Sequence, residues 1–227
     1  MIDERPTPRI SMNKLAEYMT AHPIRRRQIV EQQKRPDTFR VARYRRARET
    51  IVRQLATNPA GFEALQVGIK ALEAAEPTTE WQEQDAELSI EALQAFADIE
   101  HGLEAGLVLT PAGLAPKLVM AGVEVSVQPD LWVTGTDRKG RPFSGLVKLH
   151  FSKRNGLDAV AGEHAAALLQ HWATLHPVAE GVPLNRKHCV VIDVLSGHCF
   201  RPPKSTVRRL HHLAVACEEV ALRWSGV

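Results

Sequence analysis

Asp130 and Lys148 are the two side chains whose positions point most directly to chemistry. Alternating apolar and polar residues over 123–133 predict one strand, the sequence at 137–140 predicts a turn, and residues 146–151 predict the return strand of a hairpin. Lys148 then lies in the middle of a central strand, where a lysine is costly to bury unless an anion neutralises it. Asp130, on the neighbouring strand, is the candidate anion.

The return strand carries different side chains on its two faces. Alternation places Leu146, Lys148 and His150 on one face and Val147 and Leu149 on the other. His150 therefore shares a face with Lys148. It is either a ligand or proton shuttle at this site, or a hydrogen-bonded structural histidine.

Helical periodicity predicts the elements that surround this hairpin. The predicted helices cover residues 12–21, 24–34, from Asp37 or Thr38 to 57, 60–75, 80–101, 157–175 and 205–224, and a further strand covers 189–194. This order predicts an α+β (mixed α/β) fold with a small central mixed sheet flanked by helices. We expect two parts, a basic helical N-terminal region over 1–79 and a sheet-containing core over 80–227.

The pair Pro129-Asp130, the segment from Gly145 to Lys148, and the order of the following helix and strand resemble the PD-(D/E)XK nuclease superfamily, in particular its RecB-like members. The resemblance covers roughly residues 85–225. In that family the Asp of the first motif and an acid two residues before the Lys bind a divalent metal ion. The Lys stabilises the attacking water or the leaving phosphate. The resemblance thus implies a metal-ligand role for Asp130 and a catalytic role for Lys148.

Leu146 stands where the family has its second acid, and a leucine side chain cannot bind a metal ion. Because the acid sometimes moves to a neighbouring element in this family, Glu163 and the adjacent His164 are candidates for the second ligand. The family's upstream Glu or His has candidates in Glu100, His101 and Glu104. If the protein is active, the resemblance implies Mg²⁺ or Mn²⁺ as cofactor, held by Asp130 and Glu163. If Glu163 does not reach the site, Asp130 and Lys148 form an internal ion pair.

Charge is distributed unevenly along the chain. Residues 1–60 hold 14 Lys and Arg against 6 Asp and Glu, residues 61–104 hold 1 against 11, and residues 105–227 hold 14 against 9. A basic segment is typical of proteins that contact the phosphate backbone of nucleic acids. The candidate contact residues are Arg25, Arg26, Arg27, Arg43, Arg45 and Arg46. The alternative is that the basic and acidic helices pack together and neutralise each other.

Three functional hypotheses fit these patterns. The first is a nucleic-acid-associated, metal-dependent nuclease of bacterial DNA repair, defence or a mobile element, with DNA favoured over RNA as the substrate and the choice between them left open. The second is a catalytically inactive member of the same fold that acts as a DNA-binding or protein-interaction scaffold. The third is a protein-interaction or oligomerisation module, such as a homo-oligomer, in which the basic head and the acidic middle pair between chains.

Cysteine content and hydropathy predict where such a protein works. Cys189, Cys199 and Cys217 are odd in number and form no C-x-x-C pair, which is typical of reduced thiols in the cytoplasm. No apolar stretch approaches the roughly 20 residues of a membrane-spanning helix. The first residues contain no apolar segment of a signal peptide. We therefore expect a cytoplasmic protein without a membrane partner.

Overall fold

Two β-sheets surrounded by helices make up the fold in the computed structural model, which describes residues 4–36, 43–103 and 106–226. The helices in these residues are α1 (Met12–Thr20), α2 (Pro23–Lys34), α3 (Arg45–Thr57), α4 (Glu63–Glu73), α5 (Glu80–Ala97), α6 (Ala159–Leu175) and α7 (Val207–Trp224). The strands are β1 (Arg9–Ser11), β2 (Val108–Pro111), β3 (Leu118–Met120), β4 (Val123–Ser126), β5 (Leu131–Thr136), β6 (Pro142–His150), β7 (Leu184–Asp193) and β8 (His198–Phe200). The predicted α+β class, with a helical N-terminal part before a sheet core, is confirmed.

The larger sheet has five strands in the order β2-β5-β6-β7-β8. Strands β2, β5 and β6 pair antiparallel in this sheet, and β5 and β6 are the predicted hairpin. Helix α6 then crosses over so that β7 pairs parallel to β6. The smaller sheet has the order β1-β4-β3, with β1 parallel to β4.

The two faces of the larger sheet are buried in two separate apolar cores. Leu146 packs in the core that also contains α1, α2, α6 and α7. Val147 and Leu149 pack in the core formed with α3, α4 and α5. The predicted alternation along β6 is therefore confirmed, and helices cover both faces of the strand that carries Lys148.

The prediction of one continuous strand over residues 123–133 is wrong. Strand β4 ends at Ser126, and β5 begins at Leu131 in the other sheet. Gln128 adopts a left-handed backbone with φ 42°, which turns the chain, and Pro129 has no N–H for a strand ladder. This break places Asp130 immediately before β5 rather than within a strand.

Elements of the predicted N-terminal region pack on both sides of the sheet core. Helix α1 contacts α6 and α7, whereas α3 contacts β2 and α5. The predicted start of the third helix at Asp37 or Thr38 lies outside the described residues, and α3 begins at Arg45. These contacts and the β1–β4 pairing cross the predicted boundary at residues 79 and 80, which stays a prediction.

Among residues 4–36, 43–103 and 106–226, no helix is both long and apolar enough to cross a bilayer.

Candidate functional site

The break before β5 fixes the backbone of Asp130. Its N–H donates to the carbonyl of Val147 at 2.8 Å, and its own carbonyl accepts from the N–H of Ala112 at 2.9 Å. Asp130 is therefore held between β6 on one side and the end of β2 on the other. Its side chain is left free to turn back onto β6.

The carboxylate of Asp130 contacts three donors. Oδ2 accepts hydrogen bonds from the Nζ of Lys148 at 3.0 Å and from the backbone N–H of Leu149 at 2.7 Å. Oδ1 accepts from the guanidinium of Arg48 on α3. The Asp130 side chain is only 6% exposed, so both of its oxygens are used inside the protein. One carboxylate thus binds two cations, and we call these three residues the Asp130 cluster.

Three contacts position Arg48 for this ion pair. Its guanidinium lies over the ring of Phe151, 5.0 Å from the ring centroid, just beyond the end of β6. The ring of Tyr44, the residue before α3, stacks on Phe151 at 5.4 Å between centroids. Tyr44 has a left-handed backbone, and its N–H donates to Asp85 of α5 at 3.0 Å. The start of α3 is therefore fixed on the end of β6.

Burial and charge act in opposite directions on the pKa values of Asp130 and Lys148. Burial favours the neutral form of Asp130, but Lys148, Arg48 and the Leu149 N–H outweigh it and lower the pKa of the carboxyl. Burial lowers the pKa of Lys148 to about 8, against the opposing attraction of Asp130. Near pH 7 the cluster therefore contains two cations and one anion.

Glu163, the predicted second ligand, has a different partner. Its carboxylate on α6 is paired with the guanidinium of Arg209 on α7. No direct contact between Asp130 and Glu163 occurs in the described part of the chain. Leu146 is fully buried in the core next to α6. The position at which the PD-(D/E)XK resemblance implies a second acid is thus filled by a core side chain.

The donors around Asp130 do not fit a Mg²⁺ site as they stand. Mg²⁺ requires free carboxylate oxygens, whereas both Asp130 oxygens accept from cationic side chains or a backbone N–H. Within residues 4–36, 43–103 and 106–226, no group of three or more His, Cys, Asp or Glu side chains is arranged to hold a metal ion. The assignment of Asp130 and Glu163 as metal ligands stays a prediction drawn from the resemblance.

The candidate histidines lie apart from the Asp130 cluster. His150 is buried, and its Nε2 lies 3.3 Å from the carbonyl of Asn155, which fits a hydrogen-bonded structural histidine. Burial lowers its pKa. His164 stacks on His212 of α7 at 5.9 Å, and His101 stacks on Phe96 at 5.7 Å. Glu100 lines the same cavity as His101, and Glu104 lies outside the described residues.

The six predicted nucleic-acid-binding arginines divide into two groups. Arg25 pairs with Glu17, Arg26 with Glu219, and Arg27 with Glu31. On or beside α3, Arg45 pairs with Glu49, whereas Arg43 and Arg46 are exposed and have no ion pair within the described residues. Their assignment to nucleic-acid contact remains a prediction.

Arg48 is a residue of the site that the sequence analysis did not single out. In the sequence it is one of several arginines on the polar side of a helix. The residues around it, Ala47 and Ile51, are buried, so the sequence signal was an arginine next to the apolar stripe. Its partner depends on tertiary packing, which no local pattern encodes.

Comparison with known proteins adds no family to this description. The chain matches no protein-family model, and the search of curated proteins gives no significant match.

Proposed function

We propose that this protein is a non-catalytic nucleic-acid-binding protein built on a PD-(D/E)XK-like core. One observation carries the proposal. The carboxylate oxygens of Asp130 contact Arg48 and Lys148 and are therefore not free to bind a metal ion. In this account the residues that resemble a catalytic motif have a structural role. They hold the arginine-rich helix α3 against the sheet.

The order of elements supports the fold part of the proposal. Helix α5, strand β2, the hairpin β5-β6, the crossover helix α6 and the parallel strand β7 come in the order that the resemblance implies, with β3 and β4 of the smaller sheet between β2 and β5. The Pro-Asp pair precedes β5, and Lys148 lies on β6. The missing second acid, replaced by the buried Leu146, supports the non-catalytic part.

The charges of α3 support nucleic acid as the ligand. The helix contains four arginines and one glutamate, and no ion pair joins it to the acidic helix α5 in the part of the chain that the structure describes. Arg46 and Arg53 are seven residues apart, so they share one exposed face of the helix. Neither has an ion pair among the described residues. A fixed helix with unneutralised guanidinium groups suits the phosphate backbone.

The experiment compares two charge reversals of equal size by fluorescence anisotropy with labelled DNA. The first variant is Arg46→Glu with Arg53→Glu on α3. The matched control is Arg27→Glu with Arg35→Glu, because Arg27 and Arg35 already pair with Glu31 and Glu4. We expect the α3 variant to lose at least about tenfold in affinity and about two units of salt slope.

The same experiment separates the competing outcomes. We expect the control variant to bind DNA within about twofold of wild type, because its arginines do not contact phosphate in this account. Equal losses in both variants would contradict a specific role of α3. A wild-type protein that binds neither DNA nor RNA at low salt would reject nucleic acid as the ligand and favour a protein partner.

A metal-dependent nuclease is the second candidate, favoured by the 3.0 Å contact between Lys148 Nζ and Asp130. It requires Asp130 to exchange its contact with Arg48 for a metal ion and Glu163 to leave Arg209. Cleavage of DNA in Mn²⁺ that is abolished by Lys148→Ala would support it. Cleavage that is unchanged by Lys148→Ala would reject the assigned site.

A further inference from the structure

A cavity of about 230 Å³ lies between the loop that joins α3 to α4 and the loop that follows α5. The buried part of its lining includes Leu65, Phe96 and Leu103, each at most 4% exposed. Phe62 also lines the cavity and is exposed. Because an apolar cavity of roughly 150 Å³ can hold benzene, this cavity is large enough for a small aromatic molecule.

The buried side chain of Gln54 holds the α3–α4 side of the cavity. Its Oε1 accepts a hydrogen bond from the N–H of Ala64 at 2.7 Å, and its Nε2 donates to the carbonyl of Asn58 at 2.6 Å. These two backbone groups flank residues 59–62, all of which line the cavity. Hydrogen bonds within the protein therefore fix this side.

His101 joins the two sides of the cavity. Its Nδ1 accepts from the N–H of Leu103 at 3.1 Å, and its ring donates to the carbonyl of Pro59 in the α3–α4 loop. The ring also stacks on Phe96, with 5.7 Å between the centroids and 18° between the planes. Burial lowers the pKa of His101, so the ring is uncharged near pH 7.

The loop after α5 is attached to the larger sheet through Arg201, the residue after β8. Its Nη2 donates to the carbonyl of His101 at 2.7 Å, and its Nε donates to the carbonyl of Lys187 at 3.1 Å. Gly102 has a left-handed backbone with φ 64°, and a Cβ at this position would lie 2.8 Å from Arg201 Nη2. Both sides of the cavity are thus preorganised, which lowers the entropic cost of binding a ligand.

The rings and charges of the lining indicate the class of ligand. Phe62 and the stacked pair of Phe96 and His101 make no ring contact with each other in the described part of the chain. A planar ligand in contact with these rings would gain the energy of aromatic pairs. Glu100 also lines the cavity, whereas no lysine or arginine occurs among the described lining residues. An anionic ligand is therefore disfavoured.

We infer that this cavity binds a small aromatic molecule that is neutral or cationic. The inference goes beyond the proposed function and does not depend on it. Most of the lining belongs to the acidic segment 61–104, which contains 1 Lys or Arg against 11 Asp and Glu. The cavity and the arginines of α3 therefore favour ligands of different charge.

The test compares indole, tryptamine and indole-3-acetate, which share one ring system and differ in charge. ¹H–¹⁵N NMR spectra of the full chain follow the backbone N–H groups of Phe62, Gly102 and Leu103 as each compound is added. We expect saturable shifts with indole below about 1 mM. We expect tryptamine to bind at least about fivefold more tightly than indole-3-acetate, and Glu100→Gln to reduce this preference.

Phe62→Ala tests the exposed aromatic residue of the lining. We expect about tenfold weaker binding of indole and unchanged thermal stability, because the Phe62 side chain is not part of a core. Val67→Ala is the matched control, since Val67 is 62% exposed on α4, against 50% for Phe62, and does not line the cavity. We expect this control to bind indole as wild type does.

Four results would overturn the inference. These are the absence of saturable shifts with all three compounds, equal indole affinities for Phe62→Ala and Val67→Ala, and tighter binding of indole-3-acetate than of tryptamine. The fourth is tighter binding of a tripeptide with a central tryptophan than of tryptamine, which would identify a protein side chain rather than a free molecule as the ligand. The DNA affinities of the α3 variants test the proposed function separately, so either proposal can fail without the other.

Discussion

Helices α2 and α3 both carry clusters of arginines, and the two clusters differ in what their guanidinium groups contact. On α2, Arg25, Arg26 and Arg27 each pair with a carboxylate at or near the surface. On α3, Arg48 binds a carboxylate that is 6% exposed, while Arg46 lies in solvent without an ion pair in the described part of the chain.

The difference shows that arginine density alone does not identify a binding surface. The α2 cluster resembles a nucleic-acid patch in the sequence, yet its charges are neutralised within the chain. The α3 cluster keeps unneutralised charge because, among the described residues, Arg45 and Arg48 have carboxylate partners and Arg46 and Arg53 do not. Counting the carboxylate partners of each arginine separates a structural cluster from a candidate ligand surface.

The largest expected contrast between the two clusters is the stability that each loses when a carboxylate partner is removed. Asp130→Ala leaves Arg48, Lys148 and the Leu149 N–H without their acceptor, so we expect a loss of about 3 to 5 kcal/mol in the free energy of unfolding. Glu31→Ala, which removes the exposed partner of Arg27 on α2, should cost no more than about 1 kcal/mol.

Urea denaturation of both variants measures this contrast, with Asp130→Asn as a variant that preserves the side-chain shape. Similar losses for Asp130→Ala and Glu31→Ala would show that the Asp130 cluster is no more important for stability than a surface ion pair. The distinction between the two arginine clusters would then fail.

The second expected effect is a pH dependence carried by Lys148. Its pKa is lowered from 10.5 to about 8, so between these values the unfolded chain binds more protons than the folded one. Stability attributable to Lys148 therefore rises as pH increases from about 8 to 10.5. The unfolding free energy of wild type minus that of Lys148→Met should therefore increase over this range, by up to about 3 kcal/mol.

Parallel urea titrations at pH 7.5 and pH 10.5 check this sign. Other titrating groups are common to the two proteins and cancel in the difference. A difference that stays constant or shrinks with rising pH would show that Lys148 is not the buried, cationic member of the cluster that we describe.

The smallest expected effect concerns the aromatic contact that orients Arg48. Phe151→Leu removes the ring between Tyr44 and Arg48 and should cost about 1 kcal/mol, with a measurable loss of DNA affinity because α3 is less firmly held. Phe143→Leu makes the same change on β6, where the ring stacks on His188. That control should leave DNA affinity unchanged, and equal losses would contradict the positioning role of Phe151.

The faces of β6 could be predicted from the sequence because alternation is a local property of a strand. Leu146 and Val147 fall into different cores as expected, and the turn at 137–140 closes the predicted hairpin. Apart from the start of α3, the helix ends were also predicted to within a few residues, since proline breaks and caps such as Ser11 are local signals.

The sequence did not predict the break at Gln128 or the pairing of β1 with β4. Residues 123–133 keep their alternation through the break, and the left-handed backbone of Gln128 is stabilised by contacts to a loop that precedes it in the chain. Strand β1 has only three residues, too few for a periodic signal. Arg48 likewise has a partner 82 residues away, which only tertiary packing defines.

In our proposal Asp130 positions α3 and does not bind a catalytic metal ion. The sharpest test is calorimetric titration of Mn²⁺ into the wild-type protein, with Asp130→Asn and Asp130→Ala beside it. We expect no binding heat that depends on Asp130, because Arg48, Lys148 and the Leu149 N–H occupy its oxygens. Mn²⁺ binding by wild type that disappears in both variants, together with metal-dependent DNA cleavage, would show that Asp130 is a metal ligand.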